Sequence, residues 1–218
     1  MEDLLLLDRG CAKYEEIWNL QKNLVKKRIQ GEIIDTLILV EHPPVITLGK
    51  RAKKEEILVS EDFLFQHKIG YFYVDRGGKV TFHGPGQLVA YPIINLSLDG
   101  KDIHRYLRNL EEVIIRVLKK LGIEGERIKG YTGVWVKGKK IVSIGIGVRR
   151  WVTYHGLALN VNTDLSYFSL ISPCGIESSK ITSLSRILSC PLGMKEIKNL
   201  FLKCFCEVFK RKIIQNED

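Results

Sequence analysis

The chain has 218 residues, 45% of them hydrophobic, enough to bury the core of one large domain, and residues 1–218 are read as a single domain. Thirty-four Lys and Arg against 25 Asp and Glu give a net charge of +9 at pH 7, which favours an acidic partner. No run approaches the roughly 20 apolar residues of a membrane span, Leu4–Leu7 is too short for a signal-peptide core, and five cysteines at irregular spacing argue for reduced thiols over a disulfide framework.

Leu4–Leu7 predicts a first strand. Over Tyr14–Gln30 the residues Tyr14, Ile17, Trp18 and Leu24 fall near helical spacing, and Gly31 is placed to end that helix. Thr36–Val40 predicts a buried strand, and the two prolines of Glu41-His42-Pro43-Pro44 an extended corner. Ser60 can cap a short helix to Gln66. Tyr71–Asp75 and Leu88–Ile94 carry the aromatic and β-branched residues of strands, with a loop between them. From Asp102 to Leu121, the side chains of Ile103, Leu107, Leu110, Ile114, Val117 and Leu121 form one helical stripe that Gly122 stops. Lys140–Val148 and Thr153–Asn162 predict two strands joined by an Arg149-Arg150-Trp151 turn. A short helix is expected near Ser178 or Ser179, and a last one over Met194–Ile213. Strands and helices mix without strict alternation, so the expected class is α+β, a mixed β-sheet flanked by helices.

The loop Arg76-Gly77-Gly78-Lys79-Val80-Thr81-Phe82-His83-Gly84-Pro85-Gly86-Gln87 holds four glycines and a proline, more than a tight hairpin needs. It is either a Gly-rich turn with a surface histidine or a substrate cradle, since glycine admits close approach to the backbone and Arg76, Thr81, His83 and Gln87 can donate hydrogen bonds. Neither GxGxxG nor GxxxxGK[ST] is present, so it is not a standard phosphate loop.

Alternation in Lys140–Val148 puts Lys140 with Val142, Ile144 and Ile146 on one face, and Ser143, Gly145 and Gly147 on the other. In the next strand His155, Leu157, Leu159 and Val161 share a face, opposite Tyr154, Gly156, Ala158 and Asn160. If the strands pair, the small-residue faces make a trough, to be filled by a packed helix or by a slim apolar chain. Cys174, in Ser172-Pro173-Cys174-Gly175, is either a buried inert thiol or a nucleophile activated by a base, with His83, His155, Lys140 and Lys180 as candidates. Cys204 lies on the apolar stripe of the last helix, there is no CxxC, and no metal site is expected.

Taken together, several blocks resemble the lipoyl(octanoyl) transferase family. They are Glu41-His42-Pro43-Pro44, Arg76-Gly77-Gly78 with Thr81 to Leu88, and Lys140-Ile141 with Ile144-Gly145. His155-Gly156-Leu157-Ala158-Leu159-Asn160 and Pro173-Cys174-Gly175-Ile176 complete the set. They run in order from residue 41 to 176; Lys79 and Val142-Ser143 depart from the commoner pattern, and the tail beyond about residue 190 is not diagnostic.

The resemblance implies a fold shared with the lipoate and biotin protein ligase catalytic domain. It also implies transfer of octanoyl from octanoyl-acyl carrier protein to a lysine of a lipoyl domain, the first step of endogenous protein lipoylation. Cys174 would form the acyl-enzyme thioester and Lys140 would act as its base. Arg76, Gly77, Gly78, Thr81, His83, Gly84, Gln87, Ser143, Ile144, Gly145, His155, Gly156, Leu157, Ala158 and Asn160 would bind substrate. Thioester exchange followed by amide formation runs downhill, so no cofactor is expected. The implied partners are the carrier protein and the lipoyl domains of 2-oxoacid dehydrogenases and glycine cleavage H protein, with a monomer acting in the cytoplasm. The competing classes are an ATP-dependent ligase of the same fold, a Cys–His hydrolase, and a nucleic-acid-binding module; the last lacks aromatics interleaved with its basic residues.

Overall fold

The computed structural model describes residues 2–172 and 178–214. Ten strands occupy Glu2–Cys11 (β1), Asp35–Glu41 (β2), Val45–Leu48 (β3), Gly70–Tyr73 (β4), Val80–His83 (β5), Gln87–Ile93 (β6), Gly133–Val136 (β7), Lys139–Arg149 (β8), Val152–Asn160 (β9) and Arg211–Ile214 (β10). Five α-helices span Tyr14–Gln30 (α1), Glu61–Gln66 (α2), Ile103–Lys120 (α3), Leu184–Leu188 (α4) and Met194–Phe209 (α5).

Seven strands form a mixed sheet in the order β10-β1-β2-β6-β9-β8-β7, and β4-β3-β5 form a smaller sheet. Period-2 alternation sorts the large sheet's side chains. Leu37, Leu39, Leu88, Leu157 and Leu159 pack under α3 and α5, whereas Ile38, Val40, Val89, Tyr91 and Ala158 pack under α1. The small sheet closes over Leu64 of α2 and Phe168. The mixed sheet flanked by helices is as expected.

The helices begin and end on the residues their local chemistry favours. Gly31 takes φ 78° at the C-terminus of α1, a left-handed conformation cheap only for glycine. The side chains of Asp102 and Ser60 accept hydrogen bonds from the N–H groups of Arg105 and Phe63, satisfying first-turn donors of α3 and α2.

Three expectations need correction. Val80–His83, read as loop, is a fully buried strand that pairs antiparallel with β3. The proposed loop thus divides into a turn at 74–79 and a second at 84–86. The corner expected to begin at Glu41 does not run on to Gly49: Val45–Leu48 is also a strand. The last helix stops at Phe209: Lys210 adopts φ 53°, and Arg211–Ile214 pairs parallel with β1. Asp35 holds that strand, taking Arg211 Nη2 at 3.0 Å and Arg28 Nε at 2.8 Å.

Candidate active site

Two local irregularities build the site. Val134 pairs with Val142 and Trp135 with Lys140, so Ile141 is an extra residue, a β-bulge. Ile141 and Val142 both enter the core beneath α3. The bulge therefore moves Lys140 off the face of Val142, contrary to the alternation expected from sequence, and onto the face of Ser143 and Gly145. There it is 93% buried (7% exposed) and its Nζ lies 5.2 Å from the centroid of the Trp135 ring. Gly133, at φ 133°, leaves room beside it: a Cβ there would come within 2.9 Å of Lys140 Cε and 2.4 Å of the Val142 carbonyl oxygen. The buried carboxylate of Glu111 accepts the Gly133 N–H at 3.1 Å and pins that turn.

The second irregularity is His155, a non-glycine residue at φ 54° inside β9. It leaves the face of Leu157 and joins Tyr154. Asp75 takes the Tyr154 hydroxyl at 2.6 Å and His155 Nε2 at 3.0 Å. These bonds, that from His155 foremost, hold the Asp75 carboxyl well below the usual carboxylate range, while burial pushes His155 down and keeps it neutral.

Between these features runs a slot with about 620 Å³ of atom-free space, counting the part open to solvent. The slot is thin: a Cβ on Gly145 would meet the Gly77 carbonyl oxygen at 2.7 Å and one on Gly156 the Ala90 carbonyl oxygen at 2.1 Å. Val80, Val89, Ile144, Leu157, Ala158 and Ile181 form its apolar wall, and Lys140, Arg76, Thr81, His83 and Ser143 supply polar groups. Gly78, Gly145, His155 and Gly156 also line it, as do Tyr14 and Tyr91, which sequence reasoning did not assign to the site. Tyr14 belongs to the buried stripe of α1, where nothing in the pattern separates a slot wall from ordinary core.

A hydrogen-bond relay fixes the His83 tautomer. The Asn160 amide donates through Nδ2 to the Thr182 carbonyl at 3.0 Å, so its Oδ1 accepts from Gln87 Nε2 at 2.9 Å. Gln87 Nε2 also donates to the Phe82 carbonyl, which leaves Gln87 Oε1 to accept the proton on His83 Nδ1 at 2.8 Å. His83 Nε2 therefore carries a lone pair. Burial first, then the nearby His42 and Arg76, push the His83 pKa down to about 3, so the ring is neutral at pH 7. His83 is thus an acceptor at Nε2, not a donor there. Gln87 and Asn160, expected to bind substrate, stand one layer behind it as its orienting relay.

The remaining expected residues divide. Gly77 lines a neighbouring cleft and donates its N–H to the Ile146 carbonyl at 2.8 Å. Gly84 lines neither the slot nor the neighbouring cleft; a Cβ on it would strike the Phe82 ring at 2.6 Å. The trough is largely filled: Gly145 sits beneath the Gly77 carbonyl, Gly156 against the Ala90 carbonyl, and the Tyr154 ring covers Gly147. Ser143 opposite Ala158 is the stretch of it left open. Cys174, with Pro173, Gly175 and Ile176, lies outside the described residues. Where the chain resumes, Ile181 bridges to Lys140 and the Thr182 N–H donates to the Lys140 carbonyl at 2.9 Å.

A buried lysine thus lines a narrow, largely apolar slot on a mixed sheet with helices on both faces. The model of the lipoyl protein ligase A/B catalytic domain matches residues 13–206. The chain is 49% identical over 211 residues to an octanoyltransferase of Caldicellulosiruptor saccharolyticus, covering 95% of this chain and 90% of that protein. It is 50% identical over 201 residues to an octanoyltransferase of Rubrobacter xylanophilus, covering 91% and 90%. In fold it is similar to lipoate-protein ligase A bound with ATP, at TM-score 0.77 and 19% identity, covering 99% of this chain and 89% of that one. Biotin protein ligase from Aquifex aeolicus is similar at TM-score 0.55 and 16% identity, covering 96% and 69%. The chain belongs to the lipoyl protein ligase A/B catalytic domain family, and it is an acyltransferase.

Proposed function

We propose that the protein transfers an octanoyl group from octanoyl-acyl carrier protein to a lysine of a lipoyl domain, through a thioester on Cys174. The observation that carries this is Lys140: a buried amine turned by a bulge onto a thin apolar slot, in a chain half-identical to octanoyltransferases. Cys174 stands seven positions before Ile181, which is bridged to Lys140.

In the first half-reaction the Cys174 thiolate attacks the donor's thioester carbon, and Lys140 takes the thiol proton. The tetrahedral adduct expels the donor thiolate, which receives that proton from Lys140. In the second half-reaction the acceptor amine attacks the acyl-enzyme and gives a proton to Lys140, the carbon–sulfur bond breaks, and the proton returns to the Cys174 sulfur. One thioester is exchanged for another and then for an amide, so no nucleotide enters. The octanoyl tail lies in the slot over the Ser143–Ala158 pair, with Val80, Val89 and Leu157 around it. The net charge of +9 suits acidic protein substrates.

Intact-mass measurement after incubation with octanoyl carrier protein tests this. One octanoyl group should appear on the wild type and none on Cys174→Ala, which should remain folded and inactive. Transfer at a substantial rate by Cys174→Ala would end the covalent mechanism.

A further inference from the structure

Glu111 is a buried carboxylate that the transfer steps do not use. It is 1% exposed on the side of α3 that packs against β7 and β8, and its two oxygens are divided. Oε2 takes Arg108 Nη1 at 2.7 Å and Arg127 Nε at 3.1 Å. Oε1 takes the backbone N–H of Gly133 at 3.1 Å. The ion pairs offset what burial of a charge costs. They do not account for the bond to Gly133.

That bond acts on Lys140. β7 is four residues long and ends the seven-stranded sheet, so among the described residues β8 is its one neighbouring strand. The end of the Lys140 side chain lies over two residues of β7. Its Nζ is 5.2 Å from the centroid of the Trp135 ring, and its Cε is beside Gly133, where a Cβ would come within 2.9 Å of it. At φ 133° this position favours glycine, and the missing side chain is the gap that the lysine chain occupies. A shift of Gly133 therefore shifts the amine that faces the slot.

Resting on Lys140 as the base of the proposed transfer, we propose that Glu111 is a positioning residue for that reaction. Through Gly133 it fixes the strand against which the lysine amine is held. Its oxygens act separately: Oε2 ties α3 to the arginines, and Oε1 places the base.

Two substitutions separate the oxygens. Glu111→Asp keeps the charge, which the partly exposed arginine side chains can follow. It ends one methylene, about 1.5 Å, short of a backbone N–H that cannot follow. Arg127→Gln removes one ion pair and leaves Oε1 on Gly133. In steady-state octanoyl transfer to a lipoyl domain, Glu111→Asp should lower kcat at least about tenfold with KM kept, the scale of a base displaced by about 1 Å. Arg127→Gln should keep kcat while lowering the melting temperature. Brief acetylation of the resting proteins, read by peptide mass, tests the placement without turnover. Lys140, 7% exposed, should be labelled faster relative to the exposed Lys139 in Glu111→Asp, and at the wild-type ratio in Arg127→Gln. Equal kcat losses in the two variants at equal loss of melting temperature would make Glu111 a stabilising residue only and overturn the assignment. So would wild-type kcat with wild-type labelling in Glu111→Asp. If the wild type transferred no octanoyl, the transfer reading would fall, and the labelling ratio would still decide whether Glu111 holds the amine.

Discussion

Acidification should destabilise this protein through two histidines buried in the neutral state. The His42 pKa is pushed down to about 4 by burial, and that of His83 to about 3. An unfolded chain returns both to about 6.5. The unfolded state therefore binds protons first, and stability is lost as pH falls through 6.5, down to the folded values. At pH 5 each unfolded histidine has gained about 1.5 units' worth of protonation that the folded one has not. At 1.36 kcal/mol per unit, that is about 2 kcal/mol each, and about 4 kcal/mol for the pair.

His42→Gln isolates one share. The ring's Nδ1 lies 2.7 Å from the Ala12 carbonyl and its Nε2 lies 3.0 Å from the Tyr91 hydroxyl. The ring therefore donates to the first and accepts from the second, as a glutamine amide also can. Urea unfolding at pH 7 and pH 5 should show the variant losing about 2 kcal/mol less than the wild type across that interval. Identical losses in the two proteins would refute a neutral His42 in the folded state.

Lys140→Ala should slow octanoyl transfer by about 10²–10⁴-fold, and Lys140→Arg should recover little, because guanidinium stays protonated; recovery by arginine in a steady-state assay would make Lys140 only a charge partner. Ala158→Val should reduce kcat/KM for octanoyl more than for butanoyl donors, by about fourfold for each methylene displaced, and a uniform loss across chain lengths would move the acyl tail elsewhere. Gly147→Val should instead lower stability at every pH, since a Cβ would meet the Tyr154 ring at 2.4 Å; a wild-type melting temperature would show that the ring moves aside freely. Asp35→Ala should cost about 3–5 kcal/mol in denaturant unfolding by leaving Arg211 short of its buried partner; Arg211 Nη2 also lies 2.8 Å from Asp99 Oδ2 and 3.1 Å from Glu2 Oε2, and a cost below about 1 kcal/mol would mean that these two carboxylates suffice to hold β10.

Helices α1 and α3 were legible in the sequence because a 3.6-residue stripe, a capping Asp102 and a terminal Gly31 are all local signals. The paired strands β8 and β9 were legible from local signals too, although their turn is Arg150-Trp151, one residue shorter than expected. The family was legible from short blocks spread over most of the chain. Alternation also put small residues on one face of that pair, but could not say what covers them. The answers, the Gly77 carbonyl over Gly145, the Tyr154 ring over Gly147 and the Ala90 carbonyl against Gly156, come from segments remote in the chain.

The orientation of Lys140 and His155 was decided only in three dimensions. A bulge at Ile141 becomes visible when β7 is laid against β8, because an extra residue is defined by its partner strand. His155 departs from strand geometry where its ring meets Asp75, a contact across 80 residues. The protonated nitrogen of His83 depends likewise on Thr182 through Asn160 and Gln87. Residue identity and local period are written along the chain; the direction a side chain takes at an irregular backbone position, and the nitrogen that keeps a proton, depend on groups that folding alone brings within hydrogen-bond reach.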